Sequence, residues 1–203
     1  MKAADRIGEI IETGTTFFVA ASFTLHRPPA LGRMVYVQHA ATRTYGVVCY
    51  GTTTSPDPGR RAVRRSTENV YDDDIYREHP QLEHTLHTEF TVRLVGYGEK
   101  DRLYRYLPPM PPPLHYSVHG CTGAEVRAFT RQLTYLRQLL QVNEIPPDQL
   151  LAAHLRQVYR TRGNDDVWLA QAARQVAGLL KGDYDQLMTV LYGILPSSAS
   201  AQG

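Results

Sequence analysis

The stretch EHPQLEHTLHTEFTVRLVGYGEKDRLYRYLPPMPPPLH, residues 78–115, sets histidines, carboxylates, tyrosines and a proline run side by side. Those residue types can supply metal ligands and general acids, or they can be the outer faces and edges of strands. Within it Leu86, Thr88, Phe90, Val92 and Leu94 alternate with His87, Glu89, Thr91, Arg93 and Val95. A period of two is that of a strand, so His87 and Glu89 point away from the face that carries Phe90. The segment GYGEKDRLY then supplies a turn near Gly98 to Asp101, and RLYRYL folds back antiparallel. Pro108, Pro109 and Pro111 to Pro113 cannot donate ladder hydrogen bonds and favour extended chain, a stiff exit or an edge cover. The stretch therefore reads as wall.

Working outward, TFFVAASFTL (16–25) alternates in the same way, with Phe17, Val19, Ala21, Phe23 and Leu25 on one face and Phe18, Ala20, Ser22 and Thr24 on the other. RIGEIIE before it reads as a strand, with Thr13-Gly14 as the turn. RMVYVQ and TYGVVCYGTTT read as further strands, whose internal glycines mark bends or bulges. A long polar insertion occupies residues 55–80. From Thr122 the period changes to that of a helix. TGAE is a capping box, and Val126, Phe129, Leu133, Leu136 and Leu140 follow on one stripe. Pro146 and Pro147 open a second helix with Leu150, Leu151, Leu155 and Val158 on its buried face. A third begins near Asn164 or Asp165, uses Val167, Trp168, Ala172, Val176 and Leu179, and stops at Gly182. A fourth carries Tyr184, Leu187, Met188, Leu191 and Leu195 and ends at Pro196. The expected architecture is α+β, a small antiparallel barrel over residues 1–121 and a bundle of about four helices over 122–196, with a disordered tail at 197–203.

Composition bounds the function classes. The chain is 42% hydrophobic and 21% charged with net charge +2, an ordinary globular balance with no global pull toward nucleic acid. No apolar run approaches the ~20 residues that span a bilayer, and no secretory leader is legible, so a cytoplasmic location is expected. The two cysteines, Cys49 and Cys121, read as reduced thiols.

No catalytic, cofactor or metal site is assigned. His84 and His87 lack zincin spacing, and His115, His119 and Cys121 do not share one strand face. The acidic run YDDD (71–74) lacks the interleaved ligands of a calcium loop. GCTG and GLLKGD lack the phosphate-cradling lysine, so neither ATP nor GTP binding is expected. The candidate partner-binding residues are Arg60, Arg61, Arg64 and Arg65 in GRRAVRR, with Trp168, Leu187 and Leu191 in the helices. An ~80-residue helical unit is marginal alone and is expected to lean on the barrel, a second copy or a partner.

The segments RIGEIIETGTTFFVAASF, RPPALGRMVYVQ, YGVV, HPQLEHTLHTEFTVRLVGY and YLPPMPPPLH together resemble the HAS-barrel, the N-terminal β-barrel of HerA-type DNA-translocating ATPases and of rotary ATP synthase catalytic subunits. The resemblance covers about half of the chain, from Arg6 to Cys121. It implies a crown-like barrel that makes subunit or partner contacts. The family's catalytic residues lie in a following ATPase domain, which a helical segment replaces here, so none carries over. The leading expectation is a non-catalytic adaptor or assembly module on a ring-shaped ATPase, with homo-oligomers allowed. The alternative is a nucleic-acid-binding accessory protein in DNA processing, reading a strand through Tyr97, Tyr104, Tyr106 and the arginine run.

Overall fold

The computed structural model describes residues 6–55 and 62–194, apart from the side chains of residues 83 and 84. Seven strands and seven helices succeed one another there. They are β1 (Arg6–Thr13), β2 (Phe17–Ser22), β3 (Met34–His39), β4 (Thr42–Thr54), α1 (Asp73–Glu78), α2 (Leu82–Thr85), β5 (His87–Glu99), β6 (Arg102–Tyr104), β7 (Ser117–Gly120), α3 (Gly123–Phe129), α4 (Leu136–Leu139), α5 (Pro147–Thr161), α6 (Asp166–Leu179) and α7 (Tyr184–Ile194).

Strand order is β2-β1-β7-β3-β4-β5-β6, and β2 also pairs with β5, so six antiparallel strands close into a barrel. Closure leaves no free edge among those six, and β6 is a short flap on β5. Lys100 and Asp101 both have positive φ, the geometry of the two-residue turn that joins β5 to β6. The expected return strand RLYRYL is only Arg102–Tyr104 long. The β4–β5 register shifts twice: beside Gly46 the extra residue is Val95 of β5, and between Val48 and Tyr50 it is Cys49 of β4, so the bulges lie near the glycines of β4 without being formed by them.

The interior is filled by Ile10, Phe18, Ala20, Val35, Val37, Val48, Phe90, Val92, Leu94 and Val118. Of the two faces of β2, the one carrying Phe18 and Ala20 points inward, although Phe17, Val19 and Phe23 carry more apolar surface. A six-stranded lumen is narrow, and alternating a large residue with a small one fits it. Phe23 lies past the end of β2, exposed beneath the Arg6 guanidinium at 5.0 Å.

The polar insertion contains α1, and α2 follows it, neither of which was legible; Asp73 and Asp74 of the acidic run lie in the first turn of α1. The proline segment runs beside β1. There the Thr13 hydroxyl donates to the Pro112 carbonyl (2.7 Å), and the Ile10 amide donates to Tyr116 (3.0 Å).

Among the described residues five helices follow the barrel, one more than the expected four, because the single helix expected over residues 122–140 is two. Its start is the anticipated capping box, with Glu125 N–H donating to the Thr122 hydroxyl and the Glu125 carboxylate accepting from the Thr122 amide. Its end is set by competition for carbonyls. Arg105 donates to the carbonyls of Phe129 (2.8 Å) and Ala128 (3.1 Å), Arg162 to that of Arg127 (3.2 Å), and the Trp168 indole to that of Thr130 (2.9 Å). These side chains satisfy the acceptors that a further helical turn would need, so the helix stops and α4 restarts beyond it.

Helix α5 is the centre of the helical layer. The four leucines and valines expected on its buried face are buried, and so are Ala152, Ala153 and His154. Helix α6 ends at Leu179, three residues before the glycine expected to stop it. The face of α7 is rotated from the expected one. Val190 and Ile194 are buried with Leu187 beside them, while Tyr184 is exposed. A Cβ on Gly193 would stand 2.7 Å from that of Ala152, and this close approach to α5 is what turns α7.

Candidate functional site

The residues that carry chemistry are found mostly where the helices meet the barrel wall. Met34, Tyr36, Tyr45, Val47, Cys49 and Val95 face outward from the strands into one apolar cluster with Phe129, Tyr135, Leu151, Leu155 and Trp168. Polar clamps cross this seam. Arg43 lies over the Tyr36 ring at 4.3 Å and pairs with Glu125, the capping carboxylate of α3. Arg105 holds the other end of α3. His154 Nδ1 donates to the Gly32 carbonyl (2.8 Å), which fixes the neutral tautomer and leaves Nε2 to accept from the Tyr135 hydroxyl (2.8 Å). Complete burial lowers the His154 pKa to about 4, with the Gly32 carbonyl pulling weakly the other way. Burial likewise pushes the Tyr135 and Cys121 groups upward and holds Cys49 up at about 12, so these groups stay neutral.

Gly32 is the tightest point of the seam. Its φ is +80°, and a Cβ there would lie 2.4 Å from the His154 amide nitrogen. Only glycine tolerates both the left-handed backbone and that approach.

The histidines of the opening stretch do not gather. His84 falls in α2, with its side chain outside the described residues, and His87 starts β5 as an exposed residue. His115 is exposed and contacts Glu9 (2.8 Å), whereas His119 is buried and stacked on Tyr36 at 5.1 Å. Among the described residues no group of three or more His, Cys, Asp or Glu is placed to hold a metal ion.

Of the expected partner-binding residues, Arg60 and Arg61 lie outside the described residues, and Arg64 and Arg65 are exposed. Arg65 borders a cavity of about 440 Å³ that Val63, Ile75, Tyr76, Leu82 and Leu86 also line. That cavity sits at the His87 end of β5. Tyr97 and Tyr104 stack at 4.6 Å near the other end, with Tyr106 against both. Ten residues of strand, roughly 33 Å, separate the two features, so the arginines and tyrosines do not form one surface.

Trp168 is 3% exposed and held by Thr130 and by Arg162 over its ring at 5.3 Å, so it faces the chain's own interior. Burial against α3 and α5, not exposure, is the fate of that side of α6. Leu187 is half-buried against the same core. Leu191 is half-buried in a different setting. It lines a groove of about 340 Å³ between α6 and α7, with Asp166, Leu169, Ala170, Ala173 and Ile194. Tyr184 and Tyr192, 71% and 73% exposed, stand on the same helix as Leu191. Sequence reasoning missed this groove because α7 carries two apolar stripes. Tyr184, Met188, Leu191 and Tyr192 form one, while Leu187, Val190 and Ile194 form the one that is packed inward.

The fold is thus a closed six-stranded antiparallel barrel with a helical layer docked on its outer wall. No family model matches the chain, and no curated protein matches it. No helix among the described residues is long and apolar enough to cross a membrane.

Proposed function

We propose that the protein is a non-catalytic adaptor or assembly module that binds or regulates a ring-shaped, HerA-like ATPase through protein–protein contacts. One observation carries the reading. The buried His154 and Tyr135 are used to fasten helices to the barrel at Gly32, while large apolar residues such as Met110 (73% exposed), Tyr184 and Tyr192 stay on the outside. Exposed apolar side chains in that number suit contact surfaces better than a reaction centre. The barrel architecture agrees with the crown-like role that the HAS-barrel resemblance implies.

Chemical crosslinking in the native cell, followed by purification and mass spectrometry, tests this. Crosslinks from the helical layer or the barrel to an ATPase subunit are expected. Turnover of nucleic acid, nucleotide or ester substrates by the purified chain sinks the non-catalytic reading.

The nucleic-acid alternative keeps one observation in its favour, the 55% exposed Tyr106 beside a stacked tyrosine pair. Oligonucleotide anisotropy at rising salt decides it. Affinity that falls steeply with salt and is lost in Tyr106→Ala supports a strand-binding role, and salt-insensitive or absent binding removes it.

A further inference from the structure

A polar space opens on the seam beside the GCTG stretch, residues 120–123. It is a cavity of about 190 Å³, lined by Arg33 and Cys121 from the barrel side, by Gln157 and Thr161 from α5, and by Val126 and Val158 beneath. A molecule of liquid water takes about 30 Å³, so the space has room for a tetrahedral oxyanion. The Arg33 guanidinium is placed there by a glycine. A Cβ on Gly120 would stand 2.5 Å from its Nη2, so the group lies on bare backbone. Among the described residues the Arg33 side chain has no hydrogen-bond acceptor and no ion-pair partner, and neither does the Gln157 amide. Arg127 stands across the stretch. Its Nη1 donates to the Thr161 carbonyl (3.1 Å) and lies 3.3 Å from where a Cβ on Gly123 would be. Gly120 and Gly123 are three residues apart, so at most roughly 11 Å separates the two positions over which the guanidinium groups lie. Two carboxylates are near, and both are committed. Glu125 pairs with Arg43 and accepts from the Thr122 amide, while Asp165 pairs with Arg162 and accepts from the Trp168 amide. The charges of Arg33 and Arg127 are therefore in surplus, and the neutral Cys121 thiol does not offset them.

We propose that this cavity binds a small phosphate-class oxyanion, with Arg33 as its principal ligand, Gln157 as a neutral donor and Arg127 as the second positive charge. A guanidinium presents a planar fork of N–H donors that matches two oxygens of such an anion. A space edged by surplus donors and floored by valines concentrates positive potential, which selects an anion over a cation or a neutral polar molecule. Its volume suits one phosphate group and not a nucleotide, in keeping with the missing lysine of the GCTG stretch. The anion would tie Arg33, on the barrel, to Gln157, on α5, and so strap the helical layer to the wall at a point the protein's own side chains leave unjoined. Free phosphate and the terminal phosphate of a small ester share this chemistry.

Calorimetric titration of the full chain with inorganic phosphate, at low ionic strength and without other oxyanions, tests the proposal. Thermal melting is followed in parallel, because an ion bound only by the folded chain raises Tm. Saturable binding at one site is expected. Arg33→Gln should weaken it on the order of tenfold, and Arg33→Lys, which keeps the charge without the fork, should recover only part of that loss. Gly120→Ala keeps every charge but sets a methyl group where the guanidinium lies, and should weaken binding about as much as Arg33→Gln while circular dichroism is unchanged. Arg174→Gln removes an exposed charge on α6 and should leave the affinity as it was. Glycerol phosphate in place of inorganic phosphate identifies the source: equal affinity points to an ester, and loss of binding to the free ion. No saturation on the order of 10 mM phosphate overturns the proposal. So does an equal loss in Arg174→Gln and Arg33→Gln, which would mean diffuse surface charge, and so does an affinity indifferent to both Arg33→Gln and Gly120→Ala. An oligonucleotide that binds where inorganic phosphate does not would overturn it as well.

Discussion

Two apolar clusters meet across one barrel wall and are held by different means. The inner one is aliphatic and phenylalanine side chains alone, enclosed by strands whose backbone groups satisfy one another around the closed ring. The outer one mixes tyrosine, tryptophan and buried histidine, and arginine clamps cross it. A closed ladder needs only side chains of the right volume inside it. A helix laid on the outside of a sheet has no ladder to fix its place, so its position and its ends are set by directional bonds and by backbone contact at Gly32. Shape specifies the inner cluster, whereas polar geometry specifies the outer one.

That contrast can be broken by a single methyl-bearing substitution. Gly32→Val places a β-branched residue at φ +80° against the backbone of α5, and a loss of about 4 kcal/mol is expected, by denaturant titration. Helical signal and the near-ultraviolet signal of Trp168 should be lost before the β signal. Coincident loss of all three would mean that the two clusters are one cooperative unit.

Acid probes the outer cluster next. Above pH 6.5 His154 is neutral folded or unfolded, and the full stability is present. As pH falls from 6.5 toward 4 the unfolded chain takes a proton that the folded chain refuses, so stability declines through that window and is lower by about 3 kcal/mol below it. His154→Gln should be less stable at neutral pH and show a shallower decline. An equal slope in both proteins would place the titration elsewhere. Val92→Ala inside the barrel should cost about 2 kcal/mol with no slope of its own between those pH values. The smallest effect is expected at the capping box, where Thr122→Ala should cost about 1 kcal/mol and fray the first turn of α3. Hydrogen exchange at the Glu125 amide reads it directly.

The sequence disclosed what depends on near neighbours and concealed what depends on distant ones. The strand alternation of β2 and β5, the capping box and the leucine face of α5 are local patterns, and each stands where its pattern placed it. The break after Phe129 was not legible, because its cause is Arg105, Arg162 and Trp168 reaching in from elsewhere in the chain. The rotation of α7 was hidden for a related reason. Both its stripes are apolar, and the choice falls to Gly193 meeting Ala152 across the helix pair. Of the candidate contact residues, Leu191 lines an open groove while Trp168 is enclosed, a difference that depends on which side of α6 faces α5.

Barrel closure also orders events during synthesis. The first strand, β1, pairs on one side with its neighbour β2 but on the other with β7, where Glu9 stands opposite Ser117. A ribosome adding roughly 5–20 residues per second therefore leaves that side of β1 unmatched for on the order of ten seconds. Arg6, Glu9 and Glu12 lie along it, and charged side chains discourage an open strand from recruiting a stranger. Nascent chains halted before Ser117 clears the exit tunnel should be cut by protease within β1, and those halted after Gly120 has cleared it should resist.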